Sequence, residues 1–306
     1  MNEFPAIIEG QGDLAAFLCD NKPAVDAALD DAGTLLFRGF DVPDAHAFDA
    51  AIGGYGEDGF TYEESLSNAV RVNVTPRVFT ANEAPRETEI HLHHEMAQTP
   101  LYPSKLFFFC EIAPGEGGAT PVCRSDWLLE QMEASDPALV ARFAEHGVRY
   151  TNVMPGADDP GSGQGRSWRS TLGVRGGAGT REEAEAKLSE LGYTWEWQDD
   201  DSLRATTPTL PAIRTLPNGR RTFFNQLIAA FRGWSDSRNE AHKSVTFGDG
   251  SPITGADMAK TIALSQELTR DLAWQAGDVA LLDNFLVMHG RRPFAGKRRV
   301  LASLVA

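Results

Sequence analysis

Cysteine is scarce in this chain. Cys19, Cys110 and Cys123 are the only three in 306 residues, and none forms a C-x-x-C pair. That spacing excludes a zinc knuckle, and the odd count gives no disulfide framework. Cys110 ends an apolar run and reads as a core residue in a reducing compartment. Long apolar runs are missing too: none approaches the roughly 20 residues that span a bilayer. Positive charge is short, with 28 Lys and Arg against 43 Asp and Glu, a net −15. A field of that sign repels phosphate backbones and anionic lipid, so neither nucleic acid nor membrane is expected as a partner. The opening Met1-Asn2-Glu3-Phe4-Pro5 lacks the basic and apolar regions of a signal peptide. A cytoplasmic location is therefore the expectation.

The composition that is present is ordinary: 42% hydrophobic and 23% charged. The length is large for one common domain, but a β-barrel or sandwich with insertions uses it. The pattern predicts helices over 11–31 and 43–52, with a glycine loop at 53–56. Strands are expected at 34–40, 70–80 and 104–112, and a turn at 114–118. Ser125 is a candidate cap for a helix over 126–132, with a second helical stretch over 133–145 after a break near Pro137. Residues 154–180 are rich in Gly, Ser, Asp and Pro and read as an insertion or lid. A helix is predicted over 181–191, then short strands around Trp195 and over 203–206, 212–215 and 221–225. A polar loop over 232–252 and a helix over 256–272 follow. Strands at 279–282, 286–289 and 299–305 close the chain. Many short strands with helices at the front and in one insertion indicate a mainly β, α+β fold, a double-sheet jelly roll. Neither an internal repeat nor a clean linker interrupts it, so one domain over 1–306 is expected.

The most informative stretch is His91-Leu92-His93-His94-Glu95, together with the remote Asp283-Asn284-Phe285-Leu286-Val287-Met288-His289-Gly290-Arg291. In a strand, alternate side chains share a face, so His91, His93 and Glu95 would point one way. A His, a carboxylate two residues on and a distant His make a 2-His-1-carboxylate set, which leaves part of an iron ion's coordination open. His289 ends an apolar segment and is the natural third ligand. His46, His146 and His242 sit in surface-like surroundings. The spacing leaves His91 open as a ligand in place of His93, and His94 open in either role. His91 with His93 also resembles the paired histidines of zinc hydrolases, although Glu95-Met96 lacks their further carboxylate-His step.

Several pieces in order resemble one family. They are Gly33 to Phe40, Ile90 to Met96, Pro114 to Thr120 ending in Gly-Gly-x-Thr, and Phe223-Phe224-Asn225-Gln226. Trp274 to Asp278, Asp283-Asn284, His289-Gly290-Arg291 and Gly296 to Arg299 complete the set. The chain is similar to the taurine dioxygenase-like superfamily of Fe(II)/2-oxoglutarate oxygenases over residues 33–306. Within it, the chain resembles the clavaminate-synthase-like and syringomycin-hydroxylase-like branch, which writes its first ligands as His-x-Glu. The resemblance implies His93, Glu95 and His289 as iron ligands, with 2-oxoglutarate and O2 as co-substrates. Thr120 and Arg299 match the residues that hold the far carboxylate of 2-oxoglutarate. Arg suits that task because its planar fork binds a carboxylate through two hydrogen bonds. Arg298, on the opposite strand face, is the alternative.

The taurine enzyme carries a second arginine four residues after its anchor. Here that position is Ser303, which argues against a sulfonate substrate. The branch's usual substrates are amino acids or groups derived from them, and Arg71, Glu89, Gln98, Phe224 and Asn225 are candidate contacts. Halogenases of this fold tend to have Gly or Ala at the carboxylate position, so Glu95 argues against halogenation. The expected activity is hydroxylation of an unactivated carbon with release of succinate and CO2, in a monomer or homo-oligomer. Two rival readings are a zinc hydrolase using His91, His93 and His289, and a jelly-roll binding protein in which the histidines are packed.

Overall fold

The computed structural model describes residues 4–62, 66, 71–81, 84–156, 167–172, 179–233, 239 and 244–306. Its centre is two facing β-sheets. The larger runs, in spatial order, Ala6–Glu9, Thr34–Arg38, Val279–Asp283, Lys105–Ile112, Arg299–Val305 and Phe79–Thr80. The smaller runs Arg270–Leu272, Thr120–Arg124, Val287–Arg291 and Ile90–His93. This is the jelly roll expected from the pattern, and it mixes strands from the front, middle and end of the chain.

The strand sequences explain why helices cover the large sheet. Thr34–Arg38, Lys105–Ile112 and Val279–Asp283 are apolar at nearly every position, as befits strands buried on both faces. Leu35, Phe37, Phe107, Phe109, Val279 and Leu281 point outward against Leu18, Leu29, Phe48 and Ile52 of helices Leu14–Ala32 and Ala45–Tyr55. The alternate residues Leu36, Leu106, Cys110, Ala280 and Leu282 point inward and meet Val122, Leu272 and Val287 of the small sheet. Each fully buried Leu or Phe contributes about 1.5–3 kcal/mol. The small sheet is covered in turn by helices Ser125–Ser135, Pro137–His146, Leu227–Gly233 and Gly255–Leu268, which pack on Leu92, Cys123 and Met288. A separate sheet, Val245–Phe247, Val148–Met154, Leu203–Thr206 and Thr194–Trp197, carries helix Arg181–Glu190.

Several expectations need correction. Gly53 and Gly54 belong to the helix Ala45–Tyr55, not to a loop. A Cβ on Gly54 would lie 2.4 Å from the Ala15 carbonyl oxygen, so the glycine lets two helices touch. That contact offsets the roughly 1 kcal/mol by which glycine weakens a helix. The expected strand over 70–80 shrinks to Phe79–Thr80, because Val74 N–H donates to the Val78 carbonyl (2.8 Å) and closes a turn; Val70 lies outside the described residues. Ser125 is not a cap: it lies within the first turn and its hydroxyl donates to the Leu286 carbonyl, 2.9 Å. The helix expected over 256–272 ends at Leu268, where Thr269 Oγ1 donates to Ser265 O. The chain then forms the edge strand Arg270–Leu272. The expected strands at 212–215 and 221–225 shrink to the pair Arg214–Thr215 and Arg221–Thr222. No element was expected at strands Ala6–Glu9 and Val148–Met154, and the expected polar loop over 232–252 contains the strand Val245–Phe247, whose buried Val245 and Phe247 pair along Val148–Met154. Much of the lid candidate, 157–166 and 173–178, and His242 lie outside the described residues.

Candidate metal and co-substrate site

Strand Val287–Arg291 alternates its faces. Met288 enters the helix-covered side, while Val287 and His289 face the space between the sheets. There the His289 ring lies 5.3 Å from that of Phe108. Strand Ile90–His93 runs antiparallel beside it and sets His93 directly opposite His289, ring centres 4.4 Å apart. Gly290 makes this approach feasible: a Cβ there would lie 2.3 Å from the Ile90 carbonyl oxygen. The ladder shifts register after His289, so the two histidines stay paired while the strands diverge.

Glu95 follows two residues later, in the turn beyond the strand. Met96 takes a left-handed conformation (φ 58°) that turns the chain. Asn284 grips the backbone of Glu95 from both sides. Glu95 N–H donates to Asn284 Oδ1 (2.7 Å), and Asn284 Nδ2 donates to Glu95 O (3.0 Å) and Pro103 O (2.8 Å). The Asp283-Asn284 segment thereby ties the third ligand's strand to the first two. Glu95 Oε2 lies 3.4 Å from His289 Nε2 and 3.7 Å from His93 Nε2. The three ligand atoms lie within 4.8 Å of one another. His91 is outside this group; its Nδ1 lies 3.5 Å from Glu89 Oε2.

Two observations fit a divalent cation here. His93 Nδ1 sits 2.8 Å from the His91 carbonyl oxygen, a bond only a protonated Nδ1 can donate. That fixes the tautomer and leaves the Nε2 lone pair for a metal. The carboxyl is the second. Burial opposes ionising Glu95, but the adjacent imidazoles of His289 and His93 and the charge of Arg71 outweigh it and hold the pKa well below the usual range. Burial and the neighbouring His93 push His289 down to about 4, so its imidazole is neutral. A neutral His and an ionised Glu are the forms that bind metal.

Thr120 and Arg299, the expected anchor residues, begin the strands Thr120–Arg124 and Arg299–Val305. Thr120 is buried at the start of Thr120–Arg124, and its oxygen accepts from Trp274 Nε1 at 3.0 Å, leaving its own proton to donate. The neighbouring arginines divide sharply. Arg299, the expected anchor, points outward, with 46% of its side chain exposed and an ion pair to Glu111 at 2.5 Å. Arg298 is turned inward: its Nε donates to Gly118 O at 2.9 Å, and its guanidinium lies 5.7 Å from the Phe294 ring centre. The strand's alternation accounts for this: Val300, Ala302 and Leu304 face between the sheets, the side Arg298 shares, while Leu301 and Val305 meet the outer helices on the side of Arg299. Burial, then the charge of Arg291, pushes Arg298 down to about 10, the mark of a cation lacking a carboxylate. Among the described residues no carboxylate pairs with it. Gly118 explains the Gly-Gly-x-Thr turn physically, since a Cβ there would lie 3.0 Å from Arg298 Cδ.

The expected substrate contacts do not cluster. Arg71 Nε donates to the Tyr62 hydroxyl oxygen (3.2 Å), and Tyr62 donates to Glu95 Oε1 (3.1 Å). Glu89 faces Arg292 (2.9 Å), His91 and Arg232. Gln98 has a buried Oε1 with no hydrogen-bond partner among the described residues. Phe224 packs in an aromatic group with His94, Tyr102 and Phe285. Both polar atoms of the Asn225 amide serve backbone, Ala212 O and Leu227 N. His94 is fully buried, bonded through Nδ1 to Asn284 O, and pushed down to about 3 by burial. Tyr62, Asn284 and Trp274 had no assigned role in the sequence, and only the Asp-Asn and Trp-Gln-Ala-Gly-Asp segments hinted at the last two.

From residue 4 to 304 the sequence matches the profile of the taurine catabolism dioxygenase TauD, TfdA family. The chain belongs to this family. It is similar to a clavaminate synthase-like protein of Arabidopsis thaliana, 41% identical over 284 residues, 92% of this chain and 84% of that protein. It is 28% identical over 295 residues to the dapdiamide synthesis protein DdaC of Enterobacter agglomerans, with 92% of this chain and 84% of that protein covered. Among solved structures, that of AAD-2 in complex with Mn(II) and N-oxalylglycine aligns with a TM-score of 0.55 at 14% identity, covering 100% of this chain and 96% of the other. As a TauD-family member the chain is an Fe(II)/2-oxoglutarate-dependent oxygenase with a small-molecule substrate. Among the described residues no helix is long and apolar enough to cross a membrane.

Proposed function

We propose that this single oxygenase domain hydroxylates an unactivated carbon of a small amino-acid-like substrate, consuming 2-oxoglutarate and O2 and releasing succinate and CO2. The observation that carries the reading is the convergence of His93 Nε2, His289 Nε2 and Glu95 Oε2, with His93 locked in the metal-binding tautomer. These three residues are assigned as iron ligands. Bound Fe(II) and 2-oxoglutarate supply the oxygen activation. The protein's share is binding and placement. Glu95 brings one negative charge to balance the cation, and neutral imidazoles from two strands complete the facial set. Arg298, in preference to Arg299, holds the far carboxylate of 2-oxoglutarate together with the Thr120 hydroxyl. Phe108 and the inward residues of both sheets keep water from the space between them. N-oxalylglycine has the shape of 2-oxoglutarate, so the AAD-2 likeness supports the co-substrate.

The likeness to a dapdiamide synthesis protein supports an amino-acid-derived substrate. Arg71, Glu89 and Gln98 remain the substrate-side candidates; the closed hydrogen bonding of Asn225 and the aromatic packing of Phe224 assign those two to the scaffold. The test is a succinate-release screen under isotopically labelled dioxygen, first with free amino acids and then with carrier-bound ones. One labelled oxygen atom in the product per succinate supports hydroxylation. Succinate coupled to a product without added oxygen would replace it with desaturation, cyclisation or epimerisation.

A further inference from the structure

We propose that Tyr62, backed by Arg71, is a positioning residue that holds Glu95 to the metal through one oxygen only. This rests on the ligand set just proposed. The two oxygens of Glu95 face different partners. Oε2 lies toward the imidazoles of His289 and His93, whereas Oε1 accepts the Tyr62 hydroxyl at 3.1 Å. Behind the phenol, Arg71 Nε lies 3.2 Å from the Tyr62 oxygen. A guanidinium can only donate, so the phenol oxygen accepts from Arg71 and its own proton goes to Glu95. The direction of the chain Arg71 to Tyr62 to Glu95 is thereby fixed.

The ring cannot drift from this position. It meets Phe79 edge-on at 5.2 Å, and the Arg71 guanidinium stands 5.2 Å from its centre. A carboxylate ligates through one oxygen or two. Tying Oε1 to a phenol disfavours the second mode and leaves that metal position for the co-substrate. Asn284 fixes where the Glu95 backbone sits, and Tyr62 fixes how its carboxylate is turned. Arg71, also a substrate-side candidate, bears on Glu95 through Tyr62.

The test is titration of Co(II) alone, without 2-oxoglutarate, into the full chain and its variants. Tyr62→Phe keeps the ring and its contact with Phe79 and removes only the donor. It is expected to weaken Co(II) about 10-fold, in the range that outer hydrogen-bond partners of ligands show, and to change the visible cobalt absorption that reports coordination. Arg71→Gln should move both readouts in the same direction by less, and the double variant should be no worse than Tyr62→Phe. A role in packing alone would leave the cobalt spectrum untouched. Parent-like affinity and spectrum in Tyr62→Phe overturns the proposal. If Tyr62→Phe melts early, Arg71→Gln decides by the same two readouts: a change supports the proposal, and identity with the parent sinks it. A parent chain that binds no Co(II) would take down the ligand set as well, which separates the two failures.

Discussion

The metal end and the anchor end of the site are built on opposite principles. At the metal end the protein closes most of its own hydrogen bonds, His93 to a carbonyl and Glu95 to Asn284 and Tyr62, while His289 Nδ1 has no hydrogen-bond partner among the described residues. At the anchor end burial and the charge of Arg291 lower the pKa of Arg298, which has a single hydrogen bond, to Gly118, among the described residues. The first arrangement orients ligands before a metal arrives. The second leaves the Arg298 guanidinium without a carboxylate partner among the described residues, as a site that takes up an anion would. With 2-oxoglutarate held as proposed, orientation is supplied by the fold at one end and by the co-substrate at the other.

The largest effect that can break this contrast is at the metal end. His93→Ala is expected to abolish succinate formation, while His91→Ala leaves part of it, measured as succinate released per 2-oxoglutarate consumed. The reverse order would move the ligand by two residues. Next is the anchor. Arg298→Ala should raise the KM for 2-oxoglutarate about 10- to 100-fold, corresponding to a charged hydrogen bond of roughly 1.5–3 kcal/mol, with Co(II) affinity unchanged. Co(II) affinity falling in parallel would show that the two ends are not separate.

A third effect is on stability beside the clamp. Burial pushes the pKa of Asp283 up to about 6. A carboxyl whose folded pKa exceeds its unfolded value destabilises the fold as pH rises from about 4 through 6. Asp283→Asn should therefore raise the melting temperature at pH 8 and lose its advantage near pH 4; the full shift corresponds to about 3 kcal/mol as an upper limit. An equal gain at both pH values would remove the burial argument. The smallest effect is expected for Arg299→Ala. An exposed ion pair contributes about 0–1 kcal/mol, so the KM for 2-oxoglutarate should change less than about 3-fold.

The metal end was largely legible in the sequence because its information is local. His-x-Glu, a remote His before Gly290, and the Asp-Asn pair each carry their meaning in spacing and residue type. The strand predictions held where the apolar runs were continuous, as at 104–112 and 279–282. The anchor end was legible only to within one residue. Strand alternation says that one of Arg298 and Arg299 points inward, but Val300-Leu301-Ala302 is apolar on both faces, so the sequence does not show which; in the fold Val300 and Ala302 line the inner side, which Arg298 shares. Tyr62 was hidden for another reason: it lies outside any strand and reaches Glu95 across 33 residues of chain, so periodicity carries no trace of it. Gly54 misled because its glycine serves a helix contact in place of a turn.

The central claim is that a His93, Glu95, His289 metal end is completed by 2-oxoglutarate held at Arg298. Anaerobic addition of Fe(II) and 2-oxoglutarate, followed by the weak visible charge-transfer band of the chelate, tests it most directly. The band is expected in the parent and in Arg299→Ala at similar 2-oxoglutarate concentrations, and in Arg298→Ala only at much higher ones. A folded parent without the band, or a band lost in Arg299→Ala and kept in Arg298→Ala, would contradict it.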